Sequence, residues 1–338
     1  MRKKLSMILV AVLVLALALV GCGSQGTKAP ASSGEAPKVE GPKMMTIGTA
    51  TVGGAWYSMG GGLANVLNKY IPTTKTNAMQ SGASIENLNS IKNGKMEIGF
   101  ATADIPYRMY RGQGIEENKS FKTLAMNDLI YLALIVKKDS PIKTFEDIRG
   151  KKLGTGVAGS STYVIIEEVL KAHGMSYADV KPFPAGIAQM TEALKDGNID
   201  VFANMVAGTG GAAPGVVDLA TTTEIRFIPI SDKVMDKLNS EQQYYLKRQI
   251  QPGWVKGLTE PVTALAVATA ICVKADLPDD FVYNITKIMF DHKAELDSVH
   301  PQWTTTTKDT VAKDVPVPLH PGAEKYYKEI GAPITSLK

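Results

Sequence analysis

Cysteine is scarce in this chain, and its scarcity excludes a disulfide-framed fold. The 338 residues contain two, Cys22 and Cys272, and the first sits at the end of a leader-like segment, so no intrachain disulfide is expected. Cys272 lies alone inside Ala-Ile-Cys-Val and reads as a small core hydrophobe. Histidine is also scarce: His173, His292, His300 and His320 show no metal-ligand spacing, and no metal is expected. No Gly-x-Ser-x-Gly occurs. Ser140-Pro141-Ile142-Lys143 fits Ser-x-x-Lys, but its proline puts it in a turn and not on the helix that a serine–lysine pair needs. Without a reactive constellation, an enzyme is not expected. There is no basic stripe with interleaved aromatics, which argues against nucleic-acid binding.

Apolar runs of more than about ten residues are missing except at the start. Arg2, Lys3 and Lys4 precede an unbroken run from Met7 to Val20, too short for a comfortable membrane span and suited to a signal peptide over residues 1–21. It ends in Leu19-Val20-Gly21-Cys22, which looks like a bacterial lipobox with Cys22 as the acylated residue. An ordinary secretory signal with a chance cysteine is the alternative. Two or more acyl chains give stable anchoring, so the protein is expected outside the cell, held to the outer face of the membrane. Residues 22–43 are rich in Ser, Gly, Ala and Pro and read as a flexible tether. The formal net charge of +4 includes the leader's three basic residues, so the remaining chain is close to neutral.

Beyond the tether, one pattern occurs twice. Met45-Thr46-Ile47-Gly48 reads as a strand and Val52-Gly53-Gly54 as a loop. A helix from Ala55 to Tyr70 carries Leu63, Val66, Leu67 and Tyr70 on one face. A second helix runs from Ser84 to Asn93, and Glu97 to Ala101 is a strand running into Asp104. The second copy has a strand at Lys152–Gly156, a loop at Ala158–Ser161 and helices over Thr162–His173 and Ile187–Asp196. Its closing strand, Ile199–Ala203, runs into Asn204. Gly94 and Gly197, which stop the second helices, are 103 positions apart, and the loop glycines Gly54 and Gly159 are 105 apart. Strands alternating with helices predict an α/β fold with largely parallel sheets, and two such lobes facing each other make a cleft. Leu129–Val136 and Ala264–Val273 are long apolar strands, the first followed by a helix at Phe145–Ile148. They would serve as two crossovers, placing 44–133 with 265–338 in one lobe and 134–264 in the other. They could equally stay within one lobe.

Ligands in such folds collect where loops feed helix N-termini, which present free N–H groups and partial positive charge. Gly159, Ser160, Ser161 and Thr162 combine such a terminus with hydroxyl donors; plain serine N-capping is the alternative. Gly54 and Ala55 offer the matching loop, with Trp56 and Tyr57 as an aromatic wall or as buried core. Ser84 and Asn87 are candidates for contact or for capping. Asp104 suits a ligand ammonium group or a salt bridge to Arg108 or Arg111, and Asn204 suits a hydrogen bond. Gly154-x-Gly156-x-x-Gly159 formally matches a dinucleotide fingerprint, but an exported protein works away from such a ligand, and no cofactor is expected.

The ordered motifs resemble the TAXI group of TRAP-transporter solute receptors over nearly the whole chain beyond the tether. They are Gly48-Thr49 through Gly53-Gly54-Ala55-Trp56-Tyr57 with Gly60-Gly61-Gly62, and Gln80-Ser81-Gly82-Ala83-Ser84-Ile85-Glu86-Asn87-Leu88. They continue with Ile148-Arg149-Gly150-Lys151-Lys152, Gly159-Ser160-Ser161-Thr162, and Leu319-His320-Pro321-Gly322-Ala323 with Tyr326-Tyr327. The resemblance implies a two-lobed periplasmic-binding fold of the type II, two-crossover kind. It also implies a small anionic or zwitterionic ligand, such as glutamate or a dicarboxylate, and an ion-driven TRAP permease as partner to a monomeric receptor. Other TRAP receptor groups use an arginine against the ligand carboxylate; here the repeated loops hold none, so backbone donors are expected to carry the anion. A binding lipoprotein of an ABC importer or a sensor system would use the same fold, and a structural surface lipoprotein would bind nothing.

Overall fold

The computed structural model describes residues 40–209 and 212–338. The signal peptide over 1–21, Cys22 and the tether up to residue 39 lie outside the described residues. The last tether residues already join the fold, because the Lys43 carbonyl accepts a hydrogen bond from the Lys75 N–H at 2.8 Å.

The repeated pattern folds into two βαβαβ units. The first runs β1 (Met44–Gly48), α1 (Ala55–Tyr70), β2 (Lys75–Met79), α2 (Ser84–Lys92) and β3 (Ile98–Thr102). It is followed by α3 (Asp104–Arg111) and the long strand β4 (Phe121–Lys137). The second unit runs β5 (Lys152–Gly154), α4 (Ser161–Ala172), β6 (Lys181–Phe183), α5 (Ile187–Lys195) and β7 (Val201–Ala207). Then come α6 (Pro214–Thr222), β8 (Ile225–Ile228), β9 (Leu246–Ile250) and β10 (Val262–Lys274).

All ten strands join one sheet in the order β2-β1-β3-β10-β4-β7-β5-β6, with β8 on β4 and β9 on β10. Each unit places its first strand between the other two, in parallel pairing. The long strands β4 and β10 are antiparallel to each other and serve both halves. β10 pairs with β9 over Val262–Ala266 and with β3 over Thr269–Val273; β4 pairs with β10 at its start and with β7 over Ile130–Ile135. Their register slips at Ala268/Thr269, beside the point where β10 changes neighbours.

The core follows the helical spacing. Met59, Leu63, Val66 and Leu67 of α1 are buried against the sheet, each such side chain contributing about 1.5–3 kcal/mol on burial. The glycines within α1 permit its close approach: a Cβ on Gly60 would lie 2.3 Å from Thr49 Cγ2, and one on Gly62 would lie 2.8 Å from the Val299 methyls. Cys272 is a buried thiol inside β10.

Four expectations change. Phe145–Ile148 makes only a single 3₁₀ turn, Glu146–Ile148. The edge strands β2 and β6, short and polar, carry no apolar alternation to announce them. The strand expected at Leu129–Val136 begins at Phe121, because Phe121 and Leu124–Met126 are buried as β4 crosses the first half. Asn204 lies inside β7 and not at a strand end, since Met205–Ala207 continue the pairing with β4. Among the described residues no helix is long and apolar enough to cross a membrane.

Candidate functional site

Five helices begin on the wall of one cavity of about 100 Å³ between the two units. Gly54, Ala55 and Trp56 bring the start of α1, Ala83 that of α2, and Ser160, Ser161 and Thr162 that of α4. Ala185 and Ile187 bring the start of α5 and Ala213 that of α6. The N-cap residues of α1, α2, α5 and α6 are Gly54, Ala83, Gly186 and Ala213, none of which has a side chain able to cap. Only Ser160 caps its own helix, its hydroxyl accepting from the Tyr163 N–H at 3.3 Å. First-turn N–H groups have no intrahelical partner and each helix start carries roughly half a positive charge, but α6 adds no free donor: Pro214 has no N–H, the Gly215 N–H donates to the Gly53 carbonyl at 3.2 Å and the Val216 N–H to the Ala213 carbonyl at 2.8 Å. An acidic residue in the first turn, the usual neutralising device, is present in α2 alone, as Glu86.

No charged side chain lines the cavity among the described residues. Ile130, Val157, Ile187, Met190 and Met205 supply apolar wall; Thr51, Asn204 and Gln302 supply further polar groups. The arrangement suits a small anion with an apolar body, held by backbone donors and hydroxyls in place of a cationic side chain.

The cavity gathers Gly54, Ala55, Trp56, Ser160, Ser161, Thr162 and Asn204 of the sequence candidates. Trp56 is buried and packs at 5.9 Å from Phe100, so it is both core and wall. Tyr57 is not on the wall; it is 39% exposed and points outward from α1. Gly159 forms the turn before α4 with φ +80° but does not line the space. Ser84 stands one layer behind, its Oγ 2.5 Å from Ser161 Oγ and accepting from the Thr102 N–H at 3.1 Å. Asn87 is buried and structural in its contacts, its Nδ2 donating to the carbonyls of Thr49 at 2.9 Å and Phe100 at 2.8 Å.

Asp104 is buried away from the cavity. The Tyr245 hydroxyl donates to its Oδ2 at 3.4 Å, and its Oδ1 has no partner among the described residues. Burial, with the negative charge of Glu168 adding to it, pushes the Asp104 carboxyl up to about 6. Neither arginine considered from the sequence takes it as an ion pair: Arg108 pairs instead with Glu168 of α4 at 2.5 Å, and Arg111 donates to the carbonyls of Tyr107 and Pro316. Burial likewise lifts Asp128 to about 6, where the Thr209 hydroxyl donates to it.

Residues 47–331 match the NMT1-like family. The chain belongs to that family. Over 148 residues it is 27% identical to a candidate aliphatic sulfonates-binding protein of Escherichia coli (strain K12). That stretch covers 41% of this chain and 42% of the relative, less than half of each. Among solved structures it is similar to a protein of Bordetella bronchiseptica RB50, with a TM-score of 0.51 at 15% identity over 86% of this chain and 81% of the other. The binding-protein component of an ABC phosphonate transporter from Pseudomonas aeruginosa gives a TM-score of 0.51 at 11% identity, over 79% and 81%. At such identities the likeness establishes the fold alone: this NMT1-like chain has the two-lobed α/β fold that solute-binding proteins share, with its cleft between the lobes.

Proposed function

We propose that this protein is an extracytoplasmic receptor that binds a small organic anion in the cleft and presents it to a membrane importer. One observation carries the reading: the starts of α1, α2 and α5, without capping side chains, converge with that of α4 on a cavity without a charged side chain. An anion supplies the acceptors and the negative charge that these N–H groups lack. A zwitterion is less well served, because no carboxylate lines the wall to receive an ammonium group. Binding is favoured over catalysis: the cavity serines have no imidazole, amine or carboxylate on the wall to activate them, and Ser161 Oγ is paired with Ser84 Oγ. The lobe limits 44–133 with 265–338, and 134–264, fit strands β4 and β10 as a double hinge, and a lipid on Cys22 would keep a monomeric receptor near its importer.

The names of the relatives support an ATP-driven ABC importer as partner over the ion-driven TRAP permease that the sequence motifs imply. A neighbouring gene for a transport ATPase would agree with this, and a neighbouring fused TRAP permease would overturn it.

The binding test is a thermal-shift series on purified protein, unfolded and refolded to strip carried ligand, against alkanesulfonates, phosphonates, carboxylates and amino acids. A ligand at a hundred times its dissociation constant adds about 2.7 kcal/mol, a shift of several degrees. Stabilisation by organic anions is expected. Stabilisation by amino acids alone, or by nothing in the series, overturns the anion reading.

A further inference from the structure

Glu168 stands seven positions after Ser161 on α4, two turns along the same face of the helix and about 10 Å from its start. Both residues reach across to the first unit's side. Ser161 Oγ meets Ser84 Oγ of α2, and Glu168 Oε1 accepts a hydrogen bond from Arg108 Nη1 of α3 at 2.5 Å. α3 packs on α2 and β3, whereas α4 packs on β7, so the ion pair ties elements on opposite sides of the cavity. Arg108 is held to its own side by Nε, which donates to the Gln113 carbonyl at 3.2 Å. The pair is largely withdrawn from water, its side chains 17% and 18% exposed. Neither residue lines the cavity; the other end of α4 does, through Ser160, Ser161 and Thr162. A helix tied at its start alone can tilt, and a second tie two turns back removes that freedom.

Resting on the anion reading, we infer that Arg108 and Glu168 are positioning residues that set ligand affinity from outside the cavity, by seating α4 so that its start stays over the bound anion. When the two sides part, both charges return to water and the α4 start withdraws; when they meet, the pair forms as the wall closes. An ion pair withdrawn from water is asymmetric: either charge left without the other is costly, while removing both is nearly neutral. Loss of one partner therefore penalises the closed form, and loss of both does not.

The test is a double-mutant cycle on the purified protein: the parent, Arg108→Met, Glu168→Gln and the double variant, each titrated calorimetrically with ethanesulfonate at one pH and ionic strength. Each single variant is expected to bind about tenfold more weakly, and the double variant to return to within about threefold of the parent. Asp104, four positions before Arg108, feels the Arg108→Met change in both arms of the cycle, so its effect cancels. If one single variant does not fold, the other carries the comparison. Single variants with a lowered melting temperature but the parent's affinity would show a purely structural pair and overturn the inference. So would a double variant weakened by the product of the two single effects, because the residues would then act independently. If the parent binds no organic anion, the anion reading falls and small-angle X-ray scattering of the four unliganded proteins judges the pair by itself. The single variants are then expected to have a larger radius of gyration than the parent and the double variant; one radius for all four overturns the inference.

Discussion

Ser84 Oγ and Ser161 Oγ meet at 2.5 Å, joining the first residue of α2 in the first βαβαβ unit to the first residue of α4 in the second. Two further contacts bridge the same gap: the Gly215 N–H donates to the Gly53 carbonyl at 3.2 Å, and Arg108 pairs with Glu168. The described conformation is therefore closed around its cavity, with a serine pair directly behind the wall.

Ser84→Ala and Ser161→Ala separate two roles of that pair. Ser84 also accepts from the buried Thr102 N–H, so its removal orphans a backbone donor and is expected to cost about 1–3 kcal/mol in chemical denaturation. Ser161→Ala should cost less stability, because it removes only the link between lobes. Both variants should release ligand faster in stopped-flow displacement; an unchanged off-rate in both would deny the serine pair any part in holding closure.

The Asp104 carboxyl, raised to about 6 from an ordinary 3.8, sets a pH dependence of known sign. The folded state prefers the protonated acid, so the contribution is fully present below about pH 4 and is lost as pH rises through about 6. The full effect is on the order of 3 kcal/mol, since each tenfold gain in proton affinity on folding corresponds to about 1.4 kcal/mol. Asp104→Asn should match the parent near pH 4 and exceed it at pH 8 in urea unfolding, with Asp128 leaving a residual slope in both. An identical difference at both pH values would mean that Asp104 does not titrate in this range.

Ala83 holds φ 68° and ψ −147° at the start of α2, a region that glycine alone enters freely. Ala83→Gly is expected to stabilise the protein by about 1 kcal/mol, relief of strain exceeding the added freedom of the unfolded chain. Thermal unfolding of the two forms decides it.

Membrane attachment is tested with Cys22→Ser, which should move the protein from the membrane pellet to the soluble fraction. Retention in the pellet would remove the lipid-anchor reading.

Much of the fold was legible because it is written in apolar periodicity. Leu63, Val66, Leu67 and Tyr70 outline α1 to its observed limits of Ala55 and Tyr70. The 103- and 105-residue offsets become two units with the same strand order. The unread strands β2 and β6 are the sheet's edges, where Lys75, Asn77 and Lys181 face solvent and no buried face imposes alternation. The cavity was half legible: glycine and serine at helix starts marked α1 and α4. The start of α6 carried a usable signal in Pro214 at its first position. Gln302 carried none, because a polar residue in the 3₁₀ turn Pro301–Thr305 becomes a wall residue only through its packing against Asn127. Arg108 shows the same limit: local spacing suggests Asp104 as its partner, whereas tertiary packing delivers Glu168 from 60 positions away.

The central place of β10 has a consequence for how the chain is made. It fills the slot between β3 and β4, so the sheet stays open until Val262–Lys274 arrive. Contacts of such long sequence separation form late and slowly. A growing chain that ends short of Val262 leaves the facing edges of β3 and β4 bare and is expected to stay loose. Under the proposed export, delayed closure of this kind keeps the polypeptide threadable through a translocation pore for most of its synthesis.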